Sequence, residues 1–170
     1  RSRRRRDARA LRGGLVLLRA LVPPAAQQLV VDVVRAAAKA AGFYQPAYAN
    51  GAKQHLRMLC FGYHWNLQSG KYEKTRANHD GAKVPPIPRA LRELATWAAA
   101  RAAEVDPSVL GRAAAGAEGG GVFEPDICIV NFYEAGAALG MHQDKHEGAE
   151  TLRDGAPVVS VAIGLGAAAQ

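Results

Sequence analysis

The chain has 170 residues, 49% of them hydrophobic and 22% charged, with a formal net charge of +7. That is enough apolar material for a single packed domain. Neither an apolar run of membrane-spanning length nor a secretory leader is visible, so the expectation is a soluble intracellular monomer that does not engage a membrane.

The charge is concentrated at the start. Within the first twelve residues, seven arginines from Arg1 to Arg12 stand against Asp7, and the rest of the chain is close to neutral. Residues 1–13 are therefore expected to form a disordered basic leader. Such a run attracts phosphates with a strong salt dependence, or serves as a nuclear-import or transit segment, or is merely a solvated tail. The address that follows is nuclear or cytoplasmic, with organelle import left open.

Residues 14–170 read as one domain. Gly14 to Leu21 predicts a short leading strand, and a helix should run from Pro23-Pro24 to Gly42, with proline in the first turn and glycine after the last. Leu29, Val30, Val33, Val34 and Ala37 mark its apolar stripe. A second helix is predicted after Pro88, with Leu91, Leu94, Ala95 and Ala98 turned inward. Ala113 to Gly121 is a Gly/Ala-rich loop, and strands at 126–133, 140–145 and 157–164 should begin a mostly antiparallel sheet. Cys60 and Cys128 lie far apart on apolar segments and form no Cys-x-x-Cys, so reduced packing thiols are expected.

Two pairs carry chemistry. In the run Ile127 to Tyr133 side chains alternate between faces, which puts Ile129, Asn131 and Tyr133 on one side and Cys128, Val130 and Phe132 on the other. Eleven residues after Asn131 comes His142-x-Asp144, again i and i+2, so on a strand both side chains would project into one space. A neutral imidazole and a carboxylate are two of the three ligands of the 2-His-1-carboxylate face that holds non-haem Fe(II). The competing reading is a core Asn, a rim Tyr and a surface His-Asp pair. Between the helices, Tyr63-His64-Trp65-Asn66 and Lys71-Tyr72-Glu73-Lys74 interleave aromatic faces with cations, an arrangement suited to nucleic acid. Trp65 as a core anchor under a solvated loop is the alternative there.

These residues resemble the AlkB-type 2-oxoglutarate- and Fe(II)-dependent dioxygenases. Asn131-Phe132-Tyr133, Gly136, Leu139, His142-Gln143-Asp144-Lys145, Pro157-Val158-Val159-Ser160 and Gly164-Leu165 follow that family's order and spacing. Gly42-Phe43-Tyr44-Gln45-Pro46, Gly51-Ala52-Lys53, Met58-Leu59-Cys60-Phe61-Gly62 and the stretch from Trp65-Asn66 to Tyr72 look like its plant and algal branch near the animal homologue-1 group. The resemblance implies an α+β fold, a double-stranded β-helix (jelly-roll, cupin-like) with N-terminal helices, here lacking the C-terminal strands. It implies Fe(II) held by His142 and Asp144, with 2-oxoglutarate and O₂ as co-substrates and Asn131 and Tyr133 donating to 2-oxoglutarate. Residues of about 58–86 look like a nucleotide-recognition lid, with Trp65 and Tyr72, or Tyr63, covering a flipped base.

The activity implied is oxidative demethylation of N-methylated bases, such as N6- or N1-methyladenine in DNA or RNA, with release of formaldehyde. The family's second His ligand and the Arg that pairs with 2-oxoglutarate are expected downstream of Gln170, so the 170-residue chain alone is expected to be inactive. A truncated, catalytically inactive nucleic-acid binding module is the alternative function. His146 stands where the family usually carries an acid, which weakens the implied contact to a cationic methylated base.

Overall fold

The structure, a computed structural model, describes residues 8–111, 123–137, 140, 153 and 155–164. Contacts divide the chain into two compact units, one formed by residues 1–30, 93–124 and 149–170, the other by residues 31–92 and 125–148.

The first unit opens with a hairpin of β1 (Ala8–Arg12) and β2 (Leu15–Leu18). Its ladder is antiparallel, with Ala8 opposite Leu18 and an irregularity between Ala10 and Arg12. Residues 8–12, expected in a disordered leader, are thus a paired strand, and the leading strand is its shorter partner. Gly13-Gly14 closes the turn that brings them together, with Gly14 at φ 76°. The Gly14 N–H donates to Asp106 Oδ2 at 3.0 Å. Asp106 also caps the 3₁₀ turn Pro107–Leu110 by accepting from Ser108 N–H.

Helix α1 spans Pro24–Ala41, where the sequence places it. Its last turn ends in the Gly42 N–H to Ala38 O bond of 2.8 Å, and Gly42 takes φ 76°. Val30, Val33, Val34 and Ala37 are half-buried, whereas Leu29 is 55% exposed because it sits at the margin of the stripe. Helix α2, Arg89–Ala103, likewise starts after Pro88 and buries Leu91 and Ala98, with Leu94 and Ala95 half-buried.

In the second unit, β3 (Arg57–Phe61) pairs antiparallel with β6 (Cys128–Phe132), while β4 (His64–Asn66) pairs with β5 (Lys71–Glu73). The register of the first ladder sets Met58 opposite Asn131 and Cys60 opposite Ile129. Directly opposed residues share a face, so Met58, Cys60, Ile129 and Asn131 look one way and Leu59, Phe61, Cys128 and Val130 the other. On the first face Tyr44, Leu56, Met58 and Cys60 form a buried cluster against which Trp65 and Ile129 pack. On the second, Leu59 and Phe61 are fully buried.

The described residues are thus mixed α and β, with three two-stranded antiparallel ladders. The strand expected at 157–164 is not formed: those residues have no ladder partner among the described residues, and Val158 is 69% exposed. A strand needs a neighbour to satisfy its backbone groups, and alternation in sequence does not supply one. The expected loop at 113–121 and strand at 140–145 lie outside the described residues, except Gly140.

Candidate active site

Asn131 leaves the face of β6 that carries Ile129, Tyr133 follows just past the end of the strand, and both are exposed. Asn131 continues the row begun by Ile129, which is anchored in the Tyr44 cluster. Trp65 packs on that cluster too, so Asn131, a candidate co-substrate residue, and Trp65, a candidate base-contacting residue, share one side of the β3–β6 ladder. Trp65 and Tyr72 are direct partners in the β4–β5 ladder, with ring centroids 5.0 Å apart and planes tilted by 55°. Both rings are half-buried. Trp65 is thus in part a core residue, packed on the Tyr44 cluster and not fully buried by it. Tyr63 is engaged otherwise, with Lys74 Nζ 3.5 Å from the centre of its ring.

His142, Asp144 and His146 lie outside the described residues. Among the described residues no group of three His, Cys, Asp or Glu side chains is placed to hold a metal ion.

A buried polar cluster next to the candidate site is absent from the sequence expectations. His64 is fully buried and its Nε2–H donates to Asn78 Oδ1 at 2.6 Å, which fixes the tautomer and leaves Nδ1 without a protein partner. Tyr44 lies between two imidazoles, with ring centroids 4.9 Å from His64 and 5.3 Å from His79. Its hydroxyl meets Cys60 Sγ at 3.3 Å. Arg76, 4% exposed, donates to the carbonyls of Ala41 and Gly42 at the end of α1 and to the carboxylate of Asp80. It ties the 75–83 loop to the helix terminus, where a cation also complements the helix dipole. The cue in the sequence was the His64-x-Asn66 alternation, which places both polar side chains inward.

Burial controls the electrostatics of this cluster. It pushes the Tyr44 phenol and the Cys60 thiol up, and it holds His64 below the usual histidine range against the opposing Asn78 hydrogen bond. Cys128 is likewise pushed up to about 11 by burial. Neither cysteine is therefore a thiolate nucleophile near neutral pH. Asp80 is held below the usual carboxylate range, first by the Ala82 N–H and then by Arg76.

The profile of the 2OG-Fe(II) oxygenase superfamily matches residues 14–169. The chain is 37% identical over 158 residues to the DNA N(6)-methyladenine demethylase ALKBH1C of Arabidopsis thaliana, covering 91% of this chain and 34% of that protein. It is 39% identical over 163 residues to the DNA N(6)-methyladenine demethylase ALKBH1D of the same plant, covering 92% of this chain and 35% of that one. The solved structure of OsALKBH1 superposes with a TM-score of 0.68 at 35% identity, over 88% of this chain and 65% of that chain. The chain spans about a third of the length of the two curated relatives. It belongs to the 2OG-Fe(II) oxygenase superfamily and is of AlkB type, close to the plant ALKBH1 demethylases.

Proposed function

We propose that the protein takes part in Fe(II)- and 2-oxoglutarate-dependent oxidative demethylation of N-methylated bases, such as N6- or N1-methyladenine, in DNA or RNA, with release of formaldehyde. The observation that carries this reading is the shared ladder face: Asn131 follows Ile129 in one row with Tyr133 just beyond the strand end, and Trp65, the ring partner of Tyr72, packs on the cluster that anchors Ile129. An exposed amide NH₂ and an exposed phenol OH are uncharged donors suited to the carboxylates of 2-oxoglutarate, and neither competes for a metal.

His142 and Asp144 would hold the iron, and their donor chemistry, imidazole nitrogen and carboxylate oxygen, suits Fe(II). When bound, iron with 2-oxoglutarate and O₂ supplies the oxidising equivalent. The chain's own part is positioning. Asn131 and Tyr133 orient the co-substrate, and the Trp65–Tyr72 pair offers an aromatic surface to a base withdrawn from its stack. The Tyr44 cluster beneath keeps water from the inner side of that pair.

The test is formaldehyde release from an N6-methyladenine oligonucleotide with Fe(II) and 2-oxoglutarate, by the 170-residue chain and by the full product of its reading frame. Iron-dependent release from either supports the reading. Oligonucleotide binding without turnover in both would leave a binding module instead.

A further inference from the structure

Beyond the end of β3 the second unit carries an open hollow of about 560 Å³, whose lining includes Gly62, Lys74, Lys83, Ile87, Arg92 and Asp126. Its walls are held by backbone. Gly62 N–H donates to Pro85 O at 2.8 Å, Val84 N–H to Lys74 O at 3.0 Å, and Thr75 bridges Lys83. Gly62 itself has φ 77°, and a Cβ there would stand 2.0 Å from Asp126 O, so the chain can approach this closely only at glycine. Three cations from three segments, Lys74, Lys83 and Arg92, thus line the hollow together with one carboxylate, all four residues being exposed, over a partly apolar floor. Lys74 is further oriented by the Tyr63 ring beneath its ammonium group.

We propose that this hollow binds a phosphate of the nucleic-acid strand. Lys74 and Lys83 are the principal contacts, Arg92 adds its charge, and Asp126 sets a ceiling on affinity. Phosphate suits the site better than a carboxylate, because a tetrahedral anion presents oxygens to cations arriving from different directions. The hollow is also larger than an isolated phosphate requires, leaving space for the attached sugar. The proposal rests on the reading of the protein as acting on nucleic acid, and its test reads binding, not turnover.

Anisotropy of a labelled, unmethylated single-stranded oligonucleotide is measured against the 170-residue chain at several salt concentrations. Lys74→Gln with Lys83→Gln is compared with the charge-matched pair Lys39→Gln with Lys53→Gln. Loss of two phosphate contacts should weaken binding about tenfold at low salt and reduce the slope of log K against log salt by about 1.4. Asp126→Asn should tighten binding by about twofold to fivefold, a direction that misfolding does not produce. Equal behaviour of the two lysine pairs overturns the proposal, as does absence of oligonucleotide binding by the unsubstituted chain. Titration with inorganic phosphate separates the sources of the anion: saturation by phosphate that depends on Lys74 and Lys83, with strand binding unaffected, also overturns it. Should demethylation fail while the salt slope still responds to Lys74 and Lys83, the demethylase reading falls and the strand site stands.

Discussion

Asn131 stands directly opposite Met58 in the β3–β6 ladder, so a side chain aimed at solvent is held in register by one buried in the core. A slip of one residue would turn Asn131 to the other face. Ile129 is the pin. Ile129→Ala should lower stability by about 1–3 kcal/mol in urea titration, since the side chain is half-buried against the Tyr44 cluster. In an active, longer form of the protein the same change should raise the KM for 2-oxoglutarate, and an unchanged KM would count against the pinning role.

Asn131→Ala and Tyr133→Phe each remove one donor without touching the cluster. In the full product of the reading frame each should raise the KM for 2-oxoglutarate by about tenfold to hundredfold, the equivalent of one hydrogen bond to a charged acceptor. Succinate formation against 2-oxoglutarate concentration checks this. A fall in kcat at constant KM would assign the two residues to another step.

His64 makes stability depend on pH. Its folded value lies below the usual 6.5, mainly through burial, so the unfolded chain takes up the proton first. Its contribution to stability is present above the unfolded value and is lost as pH falls below about 6.5. The melting temperature should therefore fall between about pH 7 and pH 5.5, and His64→Gln should flatten that dependence. Asp80 and Asp106, held below the usual carboxylate range by hydrogen bonds, act only in more acidic solution, so the windows separate.

Arg76 is a buried cation whose acceptors are two helix-end carbonyls and Asp80. Arg76→Met should cost about 3 kcal/mol or more, because the carbonyls lose a charged donor and Asp80 its partner. Hydrogen exchange should then show faster opening of the 75–83 loop, including the Arg76 N–H bonded to Ala82 O. Exchange unchanged in that loop would show that Arg76 does not anchor it.

Much of this was legible in the sequence. Helices α1 and α2 begin where proline places them, and α1 ends at Gly42, because proline and glycine act through local sterics. The alternation in 127–133 separated Ile129 and Asn131 from Cys128, Val130 and Phe132, which the ladder register reproduces. What stayed hidden depends on partners. The arginine-rich start concealed β1, since its strand character comes from Leu15–Leu18 across a Gly-Gly turn, not from its own composition. Arg76, Asn78 and Asp80 carried no visible signal, because only the folded chain places the end of α1 and the His64 ring within their reach.

Cys60 and Cys128 lie beside each other in the ladder yet belong to opposite faces, since Cys60 is opposed by Ile129 and Cys128 by Phe61. The backbone itself is the insulator between the two sulfurs. An oxidant cannot join them while the native pairing persists, and the bond becomes accessible only if one strand slides past the other. The pair is therefore a built-in recorder of strand slippage: an internal crosslink captured under mild oxidation would mark each excursion in which Asn131 and Tyr133 lose their place.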